Sequence, residues 1–431
     1  MSLLDQLPRL SAYDPGAAGE GGLDPLGLSA IADRLADILA PGVRARMRLP
    51  RFVTISAVGA IACQTLYGLT ADQGKTTADI AFEWLVVEAM VRNPGAGRLV
   101  GLPGNQKAAR AKAANERLSR RTYLSGPRVF GFTGVYRPFS RDAGVLTLED
   151  LPAPNAAKLA NAWERDFKLQ GFVDGVSTTR GGQLRRNITD ACKHTLEKGQ
   201  CTAPPTGQLL RNLSDFLAPR EAQSNERRAL RQLIVLGEHE IRNELTAKMV
   251  AQPPSEGVTQ RDLVLQLLTG TSKQTRKALQ AAFDYEEAAT ALDKTFRHFL
   301  HYTTQQHGSV IRRSDALLSP GLAALAPRIG GLVHKAIGSV AELDDGLLST
   351  ETERELRLFA RHFKSCQLLD TLIQRHEEVQ ARRKKISWLD QLAGAWTVRT
   401  PYRNQNDELK DGIWTHPMRL VTLANFLAET A

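Results

Sequence analysis

Cationic side chains that could bind phosphate groups are concentrated in one stretch of this 431-residue chain. Between Arg98 and Arg141 there is a single acidic residue, Glu116, and the stretch carries +9 of the chain's formal net charge of +10. A focused excess of this kind attracts polyanions, whereas an evenly spread excess only raises solubility. The cations of this basic segment are Arg98, Lys107, Arg110, Lys112, Arg117, Arg120, Arg121, Arg128, Arg137 and Arg141.

The basic segment combines two patterns of secondary structure. Residues 105–120 are rich in Ala, Lys and Arg and predict a helix that begins after Pro103-Gly104. The aromatic and β-branched residues of 128–148, punctuated by glycines, predict a β-hairpin. A basic helix followed by a basic hairpin is typical of a winged helix, so we expect a winged-helix-like region at 98–148. The alternative is an exposed helix whose cations are only solvated.

Two glycine patterns are compared with nucleotide-binding loops. Gly74-Lys75-Thr76-Thr77 matches the end of a phosphate-binding loop, but Gly68 lies six residues before Gly74, where the motif has five. The preceding sequence is helical, and without a strand the backbone amides cannot form the phosphate cradle. Gly131 and Gly134 lie in the expected hairpin and lack the helix that binds pyrophosphate. We therefore expect no nucleotide cofactor.

Two clusters contain residue types that can bind a metal ion. Cys192, His194 and Cys201 supply three ligand types that suit zinc, but a local fourth ligand is missing and the first two point away from each other on a helix. His298 and His301 share a helix face, but no carboxylate lies between them as it does in a metalloprotease helix. We expect neither cluster to bind a metal.

A divergent metal-dependent nuclease is the enzymatic alternative. Glu408-Leu409-Lys410, with Asp390 or Asp407 upstream, has the residue types that hold Mg²⁺ and polarise water in many nucleases. The surrounding residues favour a polar turn over a buried strand. We therefore expect no catalytic residue here, and the nuclease alternative stays open.

Three of the five tryptophans, Trp388, Trp396 and Trp414, lie close together near the end of the sequence. Clustered tryptophans can stack on bases or bind a partner. They more often fasten a terminal segment to the core.

Composition limits the class of protein. The hydrophobic content of 42% is sufficient for folded cores, and no run of about 20 apolar residues is present, so we expect no membrane span. The first residues contain no apolar segment typical of a secretion signal. Four scattered cysteines do not make a disulfide framework. These features favour a cytoplasmic protein.

The apolar periodicity predicts a mainly α-helical fold with several helices. We expect an irregular leader at 1–24, a helical domain at 25–175 that includes the winged-helix-like hairpin, and a helical interaction domain at 183–431. The first helix is expected to begin at Ser29 and to end at Pro41-Gly42.

The N-terminal part of the sequence contains a recognisable pattern of residues. Leu23-Asp24-Pro25-Leu26-Gly27, then Leu39-Ala40-Pro41-Gly42, Arg44 and Arg51-Phe52, resembles the opening of uncharacterised proteins encoded in bacterial anti-phage defence islands. The resemblance covers about a tenth of the chain, and no catalytic motif belongs to it. It implies a cellular context, beside helicases and nucleases, and no functional residue.

These observations favour a DNA-binding, non-catalytic subunit of an anti-phage defence or DNA-processing complex. We expect duplex DNA and other subunits, such as a helicase or nuclease, as partners, and no cofactor. The alternative is a helical scaffold that docks an acidic partner protein through the basic segment. The expected nucleic-acid contacts are Lys107, Arg110, Lys112, Arg117, Arg120, Arg121, Arg128, Arg137 and Arg141.

Overall fold

The computed structural model describes residues 24–93, 95, 99–403 and 412–431. In these residues the protein is mainly α-helical, as the apolar periodicity predicts. None of the described helices combines the length and the apolarity needed to cross a membrane. The expected irregular leader, 1–24, lies outside the described residues except for Asp24.

The described residues form helices interrupted by a few short strands. The helices are α1 (Ser29–Leu39), α2 (Arg51–Cys63), α3 (Ala78–Arg92), α4 (Asn105–Ala113), α5 (Pro127–Phe130), α6 (Phe132–Asp142), α7 (Pro154–Asp166), α8 (Arg180–Lys198), α9 (Gln208–Phe216), α10 (Ser224–Val235), α11 (Glu240–Ala251), α12 (Gln260–Leu268), α13 (Lys273–His307), α14 (Arg313–Ala316), α15 (Pro320–Leu325), α16 (Ile329–Ala341), α17 (Gly346–Leu356), α18 (Ser365–Arg382) and α19 (Leu420–Glu429). The strands are β1 (Thr70–Ala71), β2 (Thr76–Thr77), β3 (Val310–Arg312), β4 (Leu389–Leu392) and β5 (Ala395–Val398). Strands β1 and β2 lie between α2 and α3, β3 lies between α13 and α14, and β4 and β5 lie between α18 and α19.

The described residues form two compact units, each made of separate chain segments. The first unit contains the described residues of 24–39 and 257–418, and the second contains those of 40–256 and 419–431. The boundary expected between 175 and 183 therefore lies inside the second unit. Helices α7 and α8, on either side of that stretch, both pack against α2.

The first unit is organised around the 35-residue helix α13. The Ser272 hydroxyl caps its start by accepting a hydrogen bond from the Thr275 amide, and Gly308, with φ of 59°, ends it in the left-handed conformation. Helices α1, α12, α15 and α16 pack against α13. Strands β3, β5 and β4 form an antiparallel sheet in that order. Trp388, Trp396 and Trp414 are buried in this unit, as expected of tryptophans that pack into the core.

A strap of residues 412–418 is bonded to α13 by charged and polar groups. The His416 ring Nδ1 lies 2.7 Å from the Glu286 Oε1 atom, and the His416 amide donates to the other oxygen of that carboxylate at 3.1 Å. The Thr415 amide donates to Thr290 Oγ1. Burial alone lowers the pKa of His416, but the Glu286 carboxylate outweighs it and raises the pKa to about 9.

The second unit has two largely buried helices, α2 and α3, at its centre, and α6, α7, α8 and α9 pack against them. Strands β1 and β2 pair as a small antiparallel hairpin whose turn contains Gly74 and Lys75. The Gly74–Thr77 sequence therefore belongs to a β-turn and a strand and not to a strand–loop–helix phosphate cradle.

The winged-helix hairpin expected in the basic segment is wrong, because residues 127–142 form α5 and α6. Phe132, Val135, Tyr136 and Phe139 recur at helical spacing and are buried together, and this period outweighs their individual preference for strands. The close approach of the two helices requires a glycine, because a Cβ at position 134 would lie 2.1 Å from the backbone of Arg128.

The strap predicts a loss of stability in mild alkali. His416 has a pKa of about 9 in the folded protein and an ordinary value of 6.5, so its contribution is complete below pH 6.5 and is lost as the pH rises through 9. We expect His416→Gln to lower the free energy of unfolding by an amount that is largest below pH 6.5 and shrinks toward pH 9. Urea titrations of both proteins across this range measure the difference, and a pH-independent difference would contradict it.

A second histidine predicts the opposite dependence in acid. His376 Nδ1 donates to the Pro25 carbonyl and Nε2 accepts from the Trp388 amide, so only the neutral ring satisfies both bonds. Burial lowers its pKa from 6.5 to about 4, and stability present above pH 6.5 is lost as the pH falls to 4. Histidine-selective NMR should show one ring that stays neutral down to about pH 4, and titration of His376 near 6.5 would refute this assignment.

Candidate functional site

Helix α4 carries part of the basic segment on its solvent side. Gly104, immediately before it, has φ of 76° and lies so close to the Tyr123 ring that a Cβ would fall 2.3 Å from the hydroxyl. Ala108 and Ala111 are buried against α3, and the Lys112 Nζ atom donates to the Val91 carbonyl. The exposed cations here that form no hydrogen bond or ion pair among the described residues are Lys107, Arg110 and, beyond the helix, Arg120.

Arg117 faces the interior instead of solvent. Its Nε atom donates to both oxygens of the buried Glu88 carboxylate, at 3.0 and 2.9 Å, and Nη2 donates to the Ala203 carbonyl. Burial opposes the charged form, but the Glu88 carboxylate raises the pKa of Arg117 above its ordinary value. The Arg117 guanidinium is held within the fold, where it shares the Glu88 carboxylate with Arg92, so we no longer expect it to contact a phosphate.

The cations of the supposed hairpin are also largely engaged. Arg137 bonds to Asp79 at 3.0 Å and lies 3.1 Å from Asp150, whose carboxylate also pairs with Arg141. The exposed guanidinium of Arg128 donates to the Thr77 hydroxyl. Arg121 pairs with Glu116, although its side chain is 83% exposed. Arg98 lies outside the described residues.

The second unit contains a pocket of about 680 Å³ whose walls include three arginines that no carboxylate neutralises. Arg48, Arg220 and Arg227 are exposed, and their guanidinium groups form no hydrogen bond or ion pair within the part of the chain that the structure describes. Arg51 also lines this arginine pocket but is buried and paired. The single carboxylate in the described lining is Glu429.

Arg51, the first residue of α2, positions two walls of the arginine pocket. Its Nε atom donates to both oxygens of Glu226, at 3.0 and 3.2 Å, and its terminal nitrogens donate to the carbonyls of Phe216 and Ala218. One buried guanidinium therefore holds the segment that carries Arg220 and the helix turn that carries Arg227. Burial raises the pKa of Glu226, although the Arg51 charge opposes that shift.

The other walls are held by Tyr136 and by α19. The Tyr136 hydroxyl accepts hydrogen bonds from the amides of Arg48 and Leu49, at 2.8 and 3.0 Å, and burial raises its pKa to about 12. Its ring stacks on Phe426 of α19, with the ring centroids 6.4 Å apart. Arg231 donates to the Leu427 carbonyl near the end of that helix. These contacts preorganise the pocket without using the charges of its three free arginines.

A smaller cleft of about 390 Å³ adjoins the arginine pocket and shares Arg48 and Gly101 with it. Arg46, whose guanidinium lies 4.8 Å from the centre of the Phe130 ring, lines this cleft. So does Asn105, the first residue of α4, which places the start of the α4 cations at its rim. The basic surface defined in this way consists of Arg46, Arg48, Lys107, Arg110, Arg220 and Arg227.

Four members of the basic surface were missed by the sequence analysis. Arg46 and Arg48 belong to an alternating run, Arg44-Ala45-Arg46-Met47-Arg48, without an acid, and this run is a local signal that could have identified them. Arg220 and Arg227 each adjoin a glutamate in sequence, which partly cancels the local positive charge that could have identified them.

The expected absence of a metal site is compatible with the described residues, among which no group of three or more His, Cys, Asp or Glu side chains could hold an ion. Cys192 is buried and His194 is exposed, so the two side chains do not converge. Asp390 of the nuclease alternative bonds to Arg399, and its other members, Asp407, Glu408 and Lys410, lie outside the described residues. That alternative stays untested.

Arg51→Met is expected to destabilise the second unit strongly. The change leaves the buried Glu226 carboxylate and two carbonyls without their donor, which costs about 3–5 kcal/mol for a broken buried ion pair. Thermal unfolding measures the loss. Adding Glu226→Leu should restore part of it, because the unpaired charge is then gone, and an unchanged melting temperature in Arg51→Met would contradict the role of this residue.

Comparisons were made with protein-family models, curated protein sequences and solved structures. No family model, curated sequence or solved structure matches this chain. Its function is therefore inferred from the chemistry of the described residues.

Proposed function

We propose that the second unit binds the phosphates of duplex DNA through the basic surface, and that the protein is a non-catalytic subunit of a bacterial anti-phage defence or DNA-processing complex. The observation that supports the DNA-binding part is a set of exposed cations without carboxylate partners among the described residues. Four of them line the arginine pocket or the adjoining cleft, and the other two, Lys107 and Arg110, lie on α4, whose first residue lines that cleft. The proposed cellular context rests only on the resemblance of the N-terminal sequence.

The free energy gained when a cation binds a phosphate depends on the contacts that the cation must first give up. A guanidinium that already pairs with a carboxylate must give up that pair to bind a phosphate, whereas an exposed unpaired one gives up only water. Arg48, Arg220 and Arg227 are of the second kind, as are Lys107 and Arg110 on α4. Arg46 has no carboxylate partner among the described residues either, but its guanidinium lies over the Phe130 ring. Binding of a polyanion to such a surface releases condensed counterions, and this release supplies most of the affinity.

The mode of contact differs from the winged-helix mode expected at first. Helix α4 has nine residues, and the residues after it lead into α5 and α6 instead of a hairpin wing. The contacts proposed are with the sugar–phosphate backbone, which positions a duplex without reading its sequence. We therefore propose binding with little sequence preference.

Salt dependence tests this proposal. If about five of the six cations neutralise phosphates, the logarithm of the binding constant should fall against the logarithm of salt concentration with a slope of about −4 to −5. The double variant Arg48→Ala/Arg227→Ala should reduce the magnitude of this slope by about 2. Fluorescence anisotropy with a labelled duplex measures both slopes.

Arg186→Ala is the matched control, because Arg186 is an exposed arginine on α8 in the same unit and lies outside the lining of both hollows. It should leave the slope unchanged. A slope near zero in the wild-type protein would overturn the proposal. Salt-sensitive binding to an acidic protein without binding to free DNA would support the scaffold alternative instead.

A further inference from the structure

We infer that the arginine pocket binds a phosphate monoester, and specifically the 5′-phosphate end of a nucleic-acid strand. This inference deepens the proposed function and rests on it. It assigns the pocket a ligand that differs from the phosphodiesters contacted by the rest of the basic surface.

The charge of the pocket suits a dianion. Arg48, Arg220 and Arg227 contribute three positive charges, the Arg51 charge is neutralised by Glu226, and Glu429 contributes the one negative charge of the described lining. A phosphate monoester carries a charge of about −1.5 to −2 at neutral pH, whereas each diester carries only about −1. A monoester therefore balances the remaining charge of the described walls more completely.

The size of the pocket suits a terminal nucleotide. Its walls come from separate parts of the second unit: residues 48–51, Val100-Gly101, 219–222, the first turns of α10 and the last turns of α19. A phosphate monoester occurs in a nucleic-acid strand only at an end, so the charge of the pocket points to a strand end and not to an internal phosphodiester. The volume of about 680 Å³ lies in the range of small-ligand pockets and leaves room for the sugar and base attached to the phosphate.

The lining of the pocket offers groups for each part of the ligand. The arginines offer planar donor pairs that match the oxygens of a phosphate. Asn425 and Glu429 of α19 also line the pocket and can accept hydrogen bonds from sugar hydroxyls or base amino groups.

The experiment compares two forms of one duplex, labelled at a 3′ end and carrying either a 5′-phosphate or a 5′-hydroxyl. The full-length protein should bind the phosphorylated form about tenfold more tightly, because the extra charge-assisted hydrogen bonds form only with the monoester. Arg220→Ala/Arg227→Ala should abolish this preference. Lys107→Ala/Arg110→Ala should weaken the binding of both duplex forms by the same factor and leave the preference unchanged. This result distinguishes the role of the pocket from that of α4.

The conservative variant Arg220→Lys/Arg227→Lys guards against misfolding as an explanation. It retains the positive charge but loses the planar donor pairs, so part of the preference should persist. Competition with adenosine 5′-monophosphate, with its 3′,5′-cyclic diester and with inorganic phosphate then separates the sources of the monoester.

Each outcome of the binding and competition measurements supports or overturns a different part of the proposal. Equal binding of the two duplex forms with a steep salt slope overturns the end-binding inference and leaves the proposed function in place, whereas binding of neither form overturns both. Displacement by the monophosphate but not by the cyclic diester supports recognition of a monoester. Binding of the free monophosphate without any preference for the phosphorylated duplex overturns the strand-end assignment in favour of a free nucleotide.

Discussion

The buried ion pair between Arg51 and Glu226 is the constraint on which the second unit depends. Removing two charges from water costs more than their attraction returns unless the remaining donors are also satisfied. Here the guanidinium bonds to the carboxylate and to the Phe216 and Ala218 carbonyls. All of these hydrogen bonds go to residues 216–226. The ion pair therefore fixes the position of Arg220, which lies within this segment, and of Arg227, which follows it. The unpaired arginines of the pocket are therefore held in place by Arg51, whose own charge is paired.

The sequence allowed the helical class and the bounds of α1 to be predicted because those signals are local. Helix α1 begins at Ser29, and Pro41-Gly42 follows its end. The hairpin was predicted wrongly because side-chain preference was given more weight than spacing. Phe132, Val135 and Tyr136 favour strands individually, but their spacing of three and four residues buries them on one side of a helix.

The candidate site could be predicted only in part, because ion pairing is a tertiary property. Arg117 lies in the most basic stretch, but it bonds to Glu88, which is 29 residues earlier in the sequence. Arg137 and Arg141 share Asp150. Conversely, Arg220 and Arg227 adjoin glutamates in sequence, and Glu226 turns away from solvent toward Arg51. A count of charges along the chain cannot separate these cases, since it does not show which carboxylate faces which cation.

The discontinuous composition of the two units has a consequence for folding. Helix α19 supplies Asn425 and Glu429 to the arginine pocket, but about 160 residues of the first unit separate it in sequence from α11, against which it packs. Helix α1 likewise belongs with segments after residue 257. Contacts between distant segments form slowly, because a long loop must close before they stabilise the fold. During synthesis on the ribosome neither unit can be completed when its first helices emerge, and the pocket is closed only after residue 429 has left the exit tunnel.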